Sequence, residues 1–299
     1  MDRLGAMSVF VAVVEAGSLS AAGRKLKMPL PTVSRRISDL ESHLGGPLLM
    51  RSTTHLALTD AGRSYLAACK SILAQVDEAE RLAAGEYTTP TGELILAAPI
   101  VFGRLLIVPL VAEFLDKYPD VTVQLVLEDR PLDLLDNHID VAVRLGTLPD
   151  SNLVASRIGE IHHVCCAGPR YLKARGTPKS PRDLLKHDCI NFTFAALTSP
   201  EEWKFREEHA ATSMPIRSRL IVNTAEAAIE AAIVGVGITR LLSYQVRKVI
   251  DSGELVSLLT KYDPEPIPIH LTYAQQRVMP LKLRAFLEFA IPRLRASLR

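Results

Sequence analysis

The sequence is poor in the features that mark several large classes of protein. Only four of its 299 residues are cysteine: Cys69, Cys165, Cys166 and Cys189. None forms a CxxC pair or stands at a metal-ligand spacing, so neither a disulfide framework nor a thiolate metal site is expected. No apolar run approaches the ~20 residues that a membrane span needs. Asp2 and Arg3 open the chain with no long apolar core and small-residue cleavage site behind them, so no signal peptide is read. The expected location is the cytoplasm, with the thiols free and reduced; a redox-sensing thiol is the alternative. Excess charge is also missing. Lys and Arg number 35 against 33 Asp and Glu, a net charge of +2, so affinity for a polyanion has to come from a local patch.

Catalytic patterns are absent as well. There is no GxxxxGK[ST], GxSxG or HExxH. Gly235-Val236-Gly237 lacks a third glycine and follows a helical stretch, so it is not a dinucleotide loop. His162 and His163 are adjacent, and on a strand they would face opposite ways. The carboxylates are scattered with no acid–base pair. No catalytic residue, cofactor or metal is expected, and the chain reads as a binding protein. An enzyme carried on the α/β region and a ligand-binding module with helices used only for assembly are the rival readings.

What is present begins with size. At 299 residues and 48% hydrophobic, the chain can bury large cores and suits two or three domains. Residues 1–58 read as three helices and a wing. Leu4, Met7, Phe10, Val11 and Val14 follow the helical period, and Gly17 stops that helix. Ser18 is a good N-cap for a second helix, in which small residues at 21–23 allow close approach. Pro29 and Pro31 then break the chain, so Met28 and Leu30 are expected to be extended and a third helix to start at Pro31. In that helix Val33, Ile37, Leu40 and Leu44 share one face. Thr32, Ser34, Arg35, Arg36 and Ser38 lie on the others. Hydroxyls and arginines near a helix start suit entry into a DNA major groove, where they bond phosphates or base edges. The bland alternative is an ordinary solvated face. Local charge favours the first reading: from Arg24 to Arg51 six cations oppose two anions. Alternation near His55 to Leu58 predicts a short β wing with Arg51 beside it, placed to reach backbone or minor groove. The candidate DNA contacts are Ser18, Thr32, Ser34, Arg35, Arg36, Arg51 and His55.

FVAVVEAGSLSAAGRKL, PTVSRRISDLESHLG and LLMRSTTHLALTDAG together resemble the N-terminal signature of LysR-type transcriptional regulators. The likeness is tight over the first ~60 residues and looser beyond. The family usually places a capping Ser or Thr and then Gln before the proline of the third helix. Here Pro29 and Leu30 stand there, which removes an amide reader and a cap worth ~1 kcal/mol.

The stretch 59–86 reads as one long helix, in which Tyr65, Cys69, Ile72 and Val76 repeat at heptad spacing. A core helix of a globular domain is the alternative to a dimerisation arm, and the resemblance implies the arm. Residues 87–92 form a hinge marked by Pro90 and Gly92. From 93 to 299 strands and helices alternate. ELILAA, VTVQLVLE and IDVAVRL are strands, a helix is kinked by Pro109, and PLDLLDN is a short helix. This βαβαβ run implies a parallel sheet. A strand at Ile161 to Cys166, helices at 169–175, 181–187 and 224–235, and strands near Ile238 and at 266–274 follow, with a terminal helix after Pro280.

The fold class is therefore α+β multidomain: an all-α winged helix-turn-helix head, a linker helix and an α/β domain. The resemblance implies that the last is two-lobed, like periplasmic solute-binding proteins, with lobe I at 93–164 and 270–299 and lobe II at 165–269. It also implies a small organic effector between the lobes. Expected effector residues are Pro99, Ile100, Val101, Phe102, Arg144, Thr224 and Gly237. The family often has a Ser or Thr where Ile100 to Phe102 stand, so the site is either more apolar or holds an anion through backbone N–H groups and Arg144 alone. Arg144 could instead pair with Asp129 or Asp140. Phe192 and Phe194 could form a wall or be plain core, and Trp203 reads as an anchor in the second lobe. The implied partners are double-stranded DNA, the effector and further copies of the chain as a dimer of dimers, with RNA polymerase a further candidate.

Overall fold

The computed structural model describes residues 2–51, 56–83, 89–192, 202–207, 210–276 and 279–298. It divides into two compact units, Met1–Gly92 with Val278–Lys282 and Glu93–Arg277 with Leu283–Arg299.

The first unit starts with α1 (Arg3–Ala16), capped by the Asp2 carboxylate and stopped at Gly17 in the left-handed conformation. Ser18 caps α2 (Leu19–Leu26), its Oγ accepting from the Ala21 N–H at 3.1 Å. Ala22 and Gly23 are buried, and a Cβ on Gly23 would stand 2.8 Å from the Met28 carbonyl, so the turn into the next helix requires the missing side chain. α3 spans Leu30–Leu44, with Pro29 at the cap position and no side-chain cap bond. Leu30 is thus helical where an extended residue is expected from the proline after it. The Pro29 carbonyl accepts from the Thr32 and Val33 N–H groups at 2.9 and 3.2 Å, which closes the first turn around Pro31, a position with no N–H to lose. Val33, Ile37 and Leu40 are buried as their spacing predicts, but Leu44 is exposed.

β1 (Leu49–Arg51) and β2 (Leu56–Leu58) pair antiparallel as the wing. Its entry is fixed by the Glu41 carboxylate, which accepts from the Leu48 and Leu49 N–H groups at 2.9 and 3.1 Å. Thr59 then caps α4 (Asp60–Ala83), accepting from the Gly62 N–H at 2.9 Å while its hydroxyl donates to the Pro47 carbonyl at 2.8 Å.

The second unit holds two five-stranded sheets. The first has the order β4-β3-β5-β14-β6, from β3 (Gly92–Ala98), β4 (Val121–Leu127), β5 (Val141–Leu145), β6 (Leu153–Ile161) and β14 (Ile267–Ala274). The second has the order β11-β8-β12-β7-β13, from β7 (His163–Ala167), β8 (Cys189–Phe192), β11 (Ser218–Val222), β12 (Ile238–Leu242) and β13 (Val256–Leu258). β9 (Glu202–Glu207) and β10 (Ala210–Pro215) form a separate hairpin. The helices are α5 (Ile100–Phe102), α6 (Val108–Lys117), α7 (Pro169–Arg175), α8 (Ala225–Ile233), α9 (Ser243–Asp251) and α10 (Leu281–Ser297).

Both sheets are mixed, not parallel throughout. β3 and β5 run parallel, but β14 is antiparallel to β5 and β6; β8 is parallel to β11 and β12, but β7 is antiparallel to β12 and β13. The stretch expected as one strand at 161–166 is two strands of different sheets meeting at His162. The chain therefore changes lobe at His162, and Ile267, Pro268 and Ile269 already belong to the first sheet. PLDLLDN is a set of turns, not a helix. The Asp133 carboxylate accepts from the Leu135 and Asp136 N–H groups at 2.8 and 2.9 Å, a local bond that competes with helix formation, and His138 has φ +53°. Before Pro109 the Val108 N–H reaches back to the Gly103 carbonyl, making a π-helical turn at Gly103–Ile107.

Gly62 joins wing to α4 by close approach: a Cβ there would stand 2.0 Å from the Leu48 carbonyl oxygen. Gly62→Ala is expected to destabilise the head by at least about 1–3 kcal/mol through this overpacking, read as a lower denaturation midpoint against Gly46→Ala, where no atom is in the way. Equal midpoints for the two variants would contradict the close approach.

Candidate functional site

The surface of the first unit is organised by how α3 is held. Val33, Ile37 and Leu40 pack into a core with Phe10, Val13 and Ala22. At 3.6 residues per turn Arg35 stands on the opposite face, exposed, with Thr32 and Ser34 at its flanks. Arg35 has no hydrogen-bond or ion-pair partner among the described residues. Arg36 is drawn towards the start of α1, where a Cβ on Gly5 would stand 3.0 Å from its Nη1 and close to the Asp2 carboxylate. Ser18 Oγ is used as a cap acceptor, which leaves its hydroxyl hydrogen to donate outward. Of the two anions in the basic stretch, Glu41 is turned inward onto the wing backbone. Arg51 ends β1, paired with Leu56, and its side chain lies outside the described residues, as does His55 entirely.

The four residues expected on a dimer seam separate along α4. Cys69 is fully buried in the head core, and Tyr65 packs there with its ring centroid 5.8 Å from that of Phe10. These two side chains serve the head itself, because α1 lies against the first half of α4. Ile72 is 39% exposed and Val76 half-buried, and neither belongs to the head core, so the apolar stripe continues beyond it.

In the second unit, Pro99 caps the helix that leaves β3. Ile100 is exposed, and its N–H donates to the Asp129 carboxylate at 3.0 Å. Val101 and Phe102 are buried. Val101 packs with Val164, Ile190 and Ala228 of the second lobe, and Phe102 meets the Tyr244 ring edge-on at 5.3 Å. Two residues on, Arg104 reaches Glu226 of α8 at 2.8 Å. The lobes are thus in contact through an apolar pair and an ion pair, and Thr224, which caps α8 through the Ala227 N–H at 3.3 Å, sits beside that contact. Tyr244, Arg104 and Glu226 were not singled out from the sequence; no local pattern marks residues that meet only when two lobes fold together.

Arg144 and Gly237 have structural duties. Arg144 Nη2 donates to the Leu132 carbonyl, and burial pushes the guanidinium pKa down. Asp129 holds the Ile100 N–H at 3.0 Å, and Asp140 accepts from the Ile95 N–H at 2.8 Å. Gly237 is buried where a Cβ would stand 2.3 Å from the Asp188 carbonyl oxygen, so it is a close-packing glycine. Phe192 is half-buried at the end of β8, packed on the cluster that holds Val101; Phe194 lies outside the described residues. Trp203 is buried with Phe205 and Met214 under the hairpin, as the anchor reading expects.

All four cysteines are free and buried. Burial pushes the Cys166 and Cys189 thiols up to about 12 and raises Cys69 and Cys165 as well. Such thiols stay protonated and are poor nucleophiles. Among the described residues no group of three His, Cys, Asp or Glu is placed to hold a metal ion, and no single helix is long and apolar enough to cross a membrane.

Comparison with known proteins gives a consistent picture. A family model described as the bacterial regulatory helix-turn-helix protein, lysR family, matches residues 4–63, and one described as the LysR substrate binding domain matches residues 88–295. The uncharacterised HTH-type transcriptional regulator YhjC of Escherichia coli K12 is 31% identical over 97% of this chain and 97% of its own length. The HTH-type transcriptional activator AaeR of the same organism is 33% identical over 95% of this chain and 91% of its own. Among solved structures, CrgA, a LysR-type transcriptional regulator from Neisseria meningitidis, superposes with a TM-score of 0.62 at 31% identity, covering 97% of this chain and 98% of that one.

His163, at the start of β7, supplies a pH test of the lobe crossing. Burial, then the nearby Arg240 and His162, push its imidazole down to about 4, so it is neutral in the folded chain. The unfolded chain takes up that proton nearer pH 6.5, so the unfolded state binds more protons between pH 6.5 and 4. Stability from this group is complete above pH 6.5 and is lost as pH falls through that window. Thermal melts at pH 7.5 and 5.5 are expected to show a larger acid-induced drop for the wild type than for His163→Leu. The same drop in both chains would remove His163 as its source.

Proposed function

Because the chain belongs to the LysR-type transcriptional regulators, a family of DNA-binding regulators with an effector-binding domain, we propose that paired heads read the two halves of one operator under control of a small organic effector. The observation that carries this reading is the exposed face of α3. Arg35 leads it, with Thr32 and Ser34 beside it; Arg36, Ser18, Arg51 and His55 complete the proposed contacts. In this reading Arg35 enters the major groove, where a guanidinium can grip a guanine with two donors. Ser18 and Arg51 meet phosphates. Leu30 offers no hydrogen bond, so specificity rests on Thr32, Ser34, Arg35 and the shape of the duplex.

Two heads are brought together by α4 beyond Cys69, where Ile72 and Val76 lie outside the head core. A helix of 24 residues is ~36 Å long, enough to hold two heads apart on one face of a duplex. Larger assembly into a dimer of dimers, contact with RNA polymerase and a cytoplasmic location complete the reading.

The effector is assigned to the region between the lobes bounded by Pro99 to Phe102, Phe192 and Thr224. Two of the donors that could hold an anion there are engaged: the Ile100 N–H by Asp129, and an Arg144 nitrogen by the Leu132 carbonyl. That favours a mainly apolar effector. Its arrival would act on the Arg104–Glu226 pair, which at 55% and 44% exposure adds little static stability and so can be remade at small cost.

Gel-shift titration against the chain's own upstream DNA at two salt concentrations tests the regulator reading. Binding is expected at low salt and should weaken steeply as salt rises. Arg35→Ala should lose roughly tenfold to a hundredfold in operator affinity while the sedimentation profile stays the same. An intact fold that fails to bind at low salt would end this reading.

A further inference from the structure

The face of the second sheet that lies under the hairpin holds two charges that do not meet. β7 and β12 pair antiparallel with Arg240 opposite Cys165 and Leu242 opposite His163, so these four side chains point to one side. Cys165 packs there with Trp203, Phe205 and Met214 under β9 and β10. Val164 and Leu241, one residue along, point to the other side and pack with Val101. The sheet therefore separates Arg240 from the region assigned to the effector.

Arg240 is half-buried, its guanidinium carbon 5.3 Å from the centre of the Phe205 ring. No hydrogen bond or ion pair reaches it among the described residues. Asp263 is half-buried as well, at the end of the 3₁₀ turn Thr260–Tyr262, which Leu259 enters in the left-handed conformation at φ +57°. Its carboxylate too has no hydrogen bond or ion pair among the described residues. The two groups nonetheless lie close enough to affect each other. Burial pushes the Arg240 pKa down and Asp263 acts against that; burial pushes Asp263 up, and His162 and Arg240 act against that. Beside Arg240, the His163 Nδ1 is buried without a partner, on an imidazole that is neutral in the folded chain. An arginine and a carboxylate in such reach gain most by closing into a two-donor pair. Held apart in a partly desolvated place, each leaves its charge uncompensated, and a molecule that carries both opposite charges satisfies both.

We propose that Arg240, Asp263 and His163 form a second ligand site, on the hairpin side of the sheet, and that its ligand is a free α-amino acid. The Arg240 guanidinium takes the ligand carboxylate, the Asp263 carboxylate takes its ammonium, and the Phe205 ring is the apolar wall. The unpartnered His163 nitrogen donates to the carboxylate or accepts from the ammonium according to its tautomer. A simple acid would meet Arg240 but be repelled by Asp263, and a simple amine would do the reverse. A zwitterion satisfies both without adding net charge. The site also adjoins both places where the chain changes lobe, His162 on one crossing and the segment from Asp263 to Ile267 on the other. Arg206 of β9 already pairs with Glu265 of that second crossing, which ties the hairpin to it. A ligand on Arg240 and Asp263 would tie β12 to the same crossing. The site relies neither on the DNA reading nor on the effector region across the sheet.

Thermal-shift measurements on the full-length chain with each of the twenty protein amino acids at millimolar concentration test this. Calorimetry follows with the one that stabilises most and with its deaminated and decarboxylated analogues. At least one amino acid is expected to raise the melting temperature. Each analogue should bind roughly tenfold or more weakly, because it leaves one half-buried charge unpaired. R240Q should lose the shift. D263N, which keeps the side-chain shape, should lower affinity for the amino acid and bring the deaminated acid near parity with it, a change of selectivity that damage to the fold would not produce. If R240Q does not fold, D263N decides alone. No shift with any of the twenty overturns the proposal and leaves water as the bridge between the two charges. A shift that survives in both variants overturns it too and places the amino acid elsewhere. So does an analogue that binds the wild type as tightly as the amino acid itself.

Discussion

The structure depends first on α3 being gripped from one side. Val33, Ile37 and Leu40 sit at 0–1% exposure against Phe10 and Val13, and the Arg35 face opposite them is exposed. That packing offsets a start with no cap. A capping side chain would add about 1 kcal/mol, whereas each buried Leu or Ile contributes roughly 1.5–3 kcal/mol from its apolar area alone. The helix can therefore start at Leu30 between two prolines and still be rigid. It can also leave its outer face to residues chosen for what they touch outside the protein.

The same trade recurs in the second unit. Apolar contact does the holding, and polar groups set geometry. Val101 and Phe102 anchor the first lobe on the second, while Arg104 and Glu226 meet at the rim where water screens them. Carboxylates do much of the positioning. Glu41 fixes the wing, Asp129 the start of the helix after β3, Asp133 the turns before β5, and Asp188 the surface arginines of the second lobe. Each accepts from backbone N–H groups or from cations, the bonds in which a charge is worth most.

Much of the head was legible in the sequence because its order is local. Periodicity marks Val33, Ile37 and Leu40, Ser18 is a cap by residue type and place, and the glycines stop helices where they stand. The α4 stripe shows where that ends. A heptad pattern says that Tyr65, Cys69, Ile72 and Val76 want apolar cover, but not whether the cover is the chain's own α1 or another copy. β8 was missed because Cys189–Phe192 is four residues long and its partners, β11 and β12, are remote in sequence. PLDLLDN has a helical look, yet Asp133 bonds the backbone ahead of it and makes a turn cheaper than a helix. Arg144 was read as an effector contact or as the partner of Asp129 or Asp140; the Leu132 carbonyl that it meets has no signature in the sequence.

One continuous helix serves both the head core and the arm. Cys69 is locked inside the head, and Ile72 begins the stretch that is not, with no break between them. The head is thus geared to the arm: it cannot swivel unless α4 turns with it. In the proposed dimer, each residue added to the arm would rotate a reading helix by about 100° about the arm axis as well as moving it ~1.5 Å. Drift in the length of this segment is then confined to steps of about seven residues, which restore the phase of the stripe. In the proposed dimer the linker would be a ruler and a key at once, with the spacing of half-sites written into its residue count.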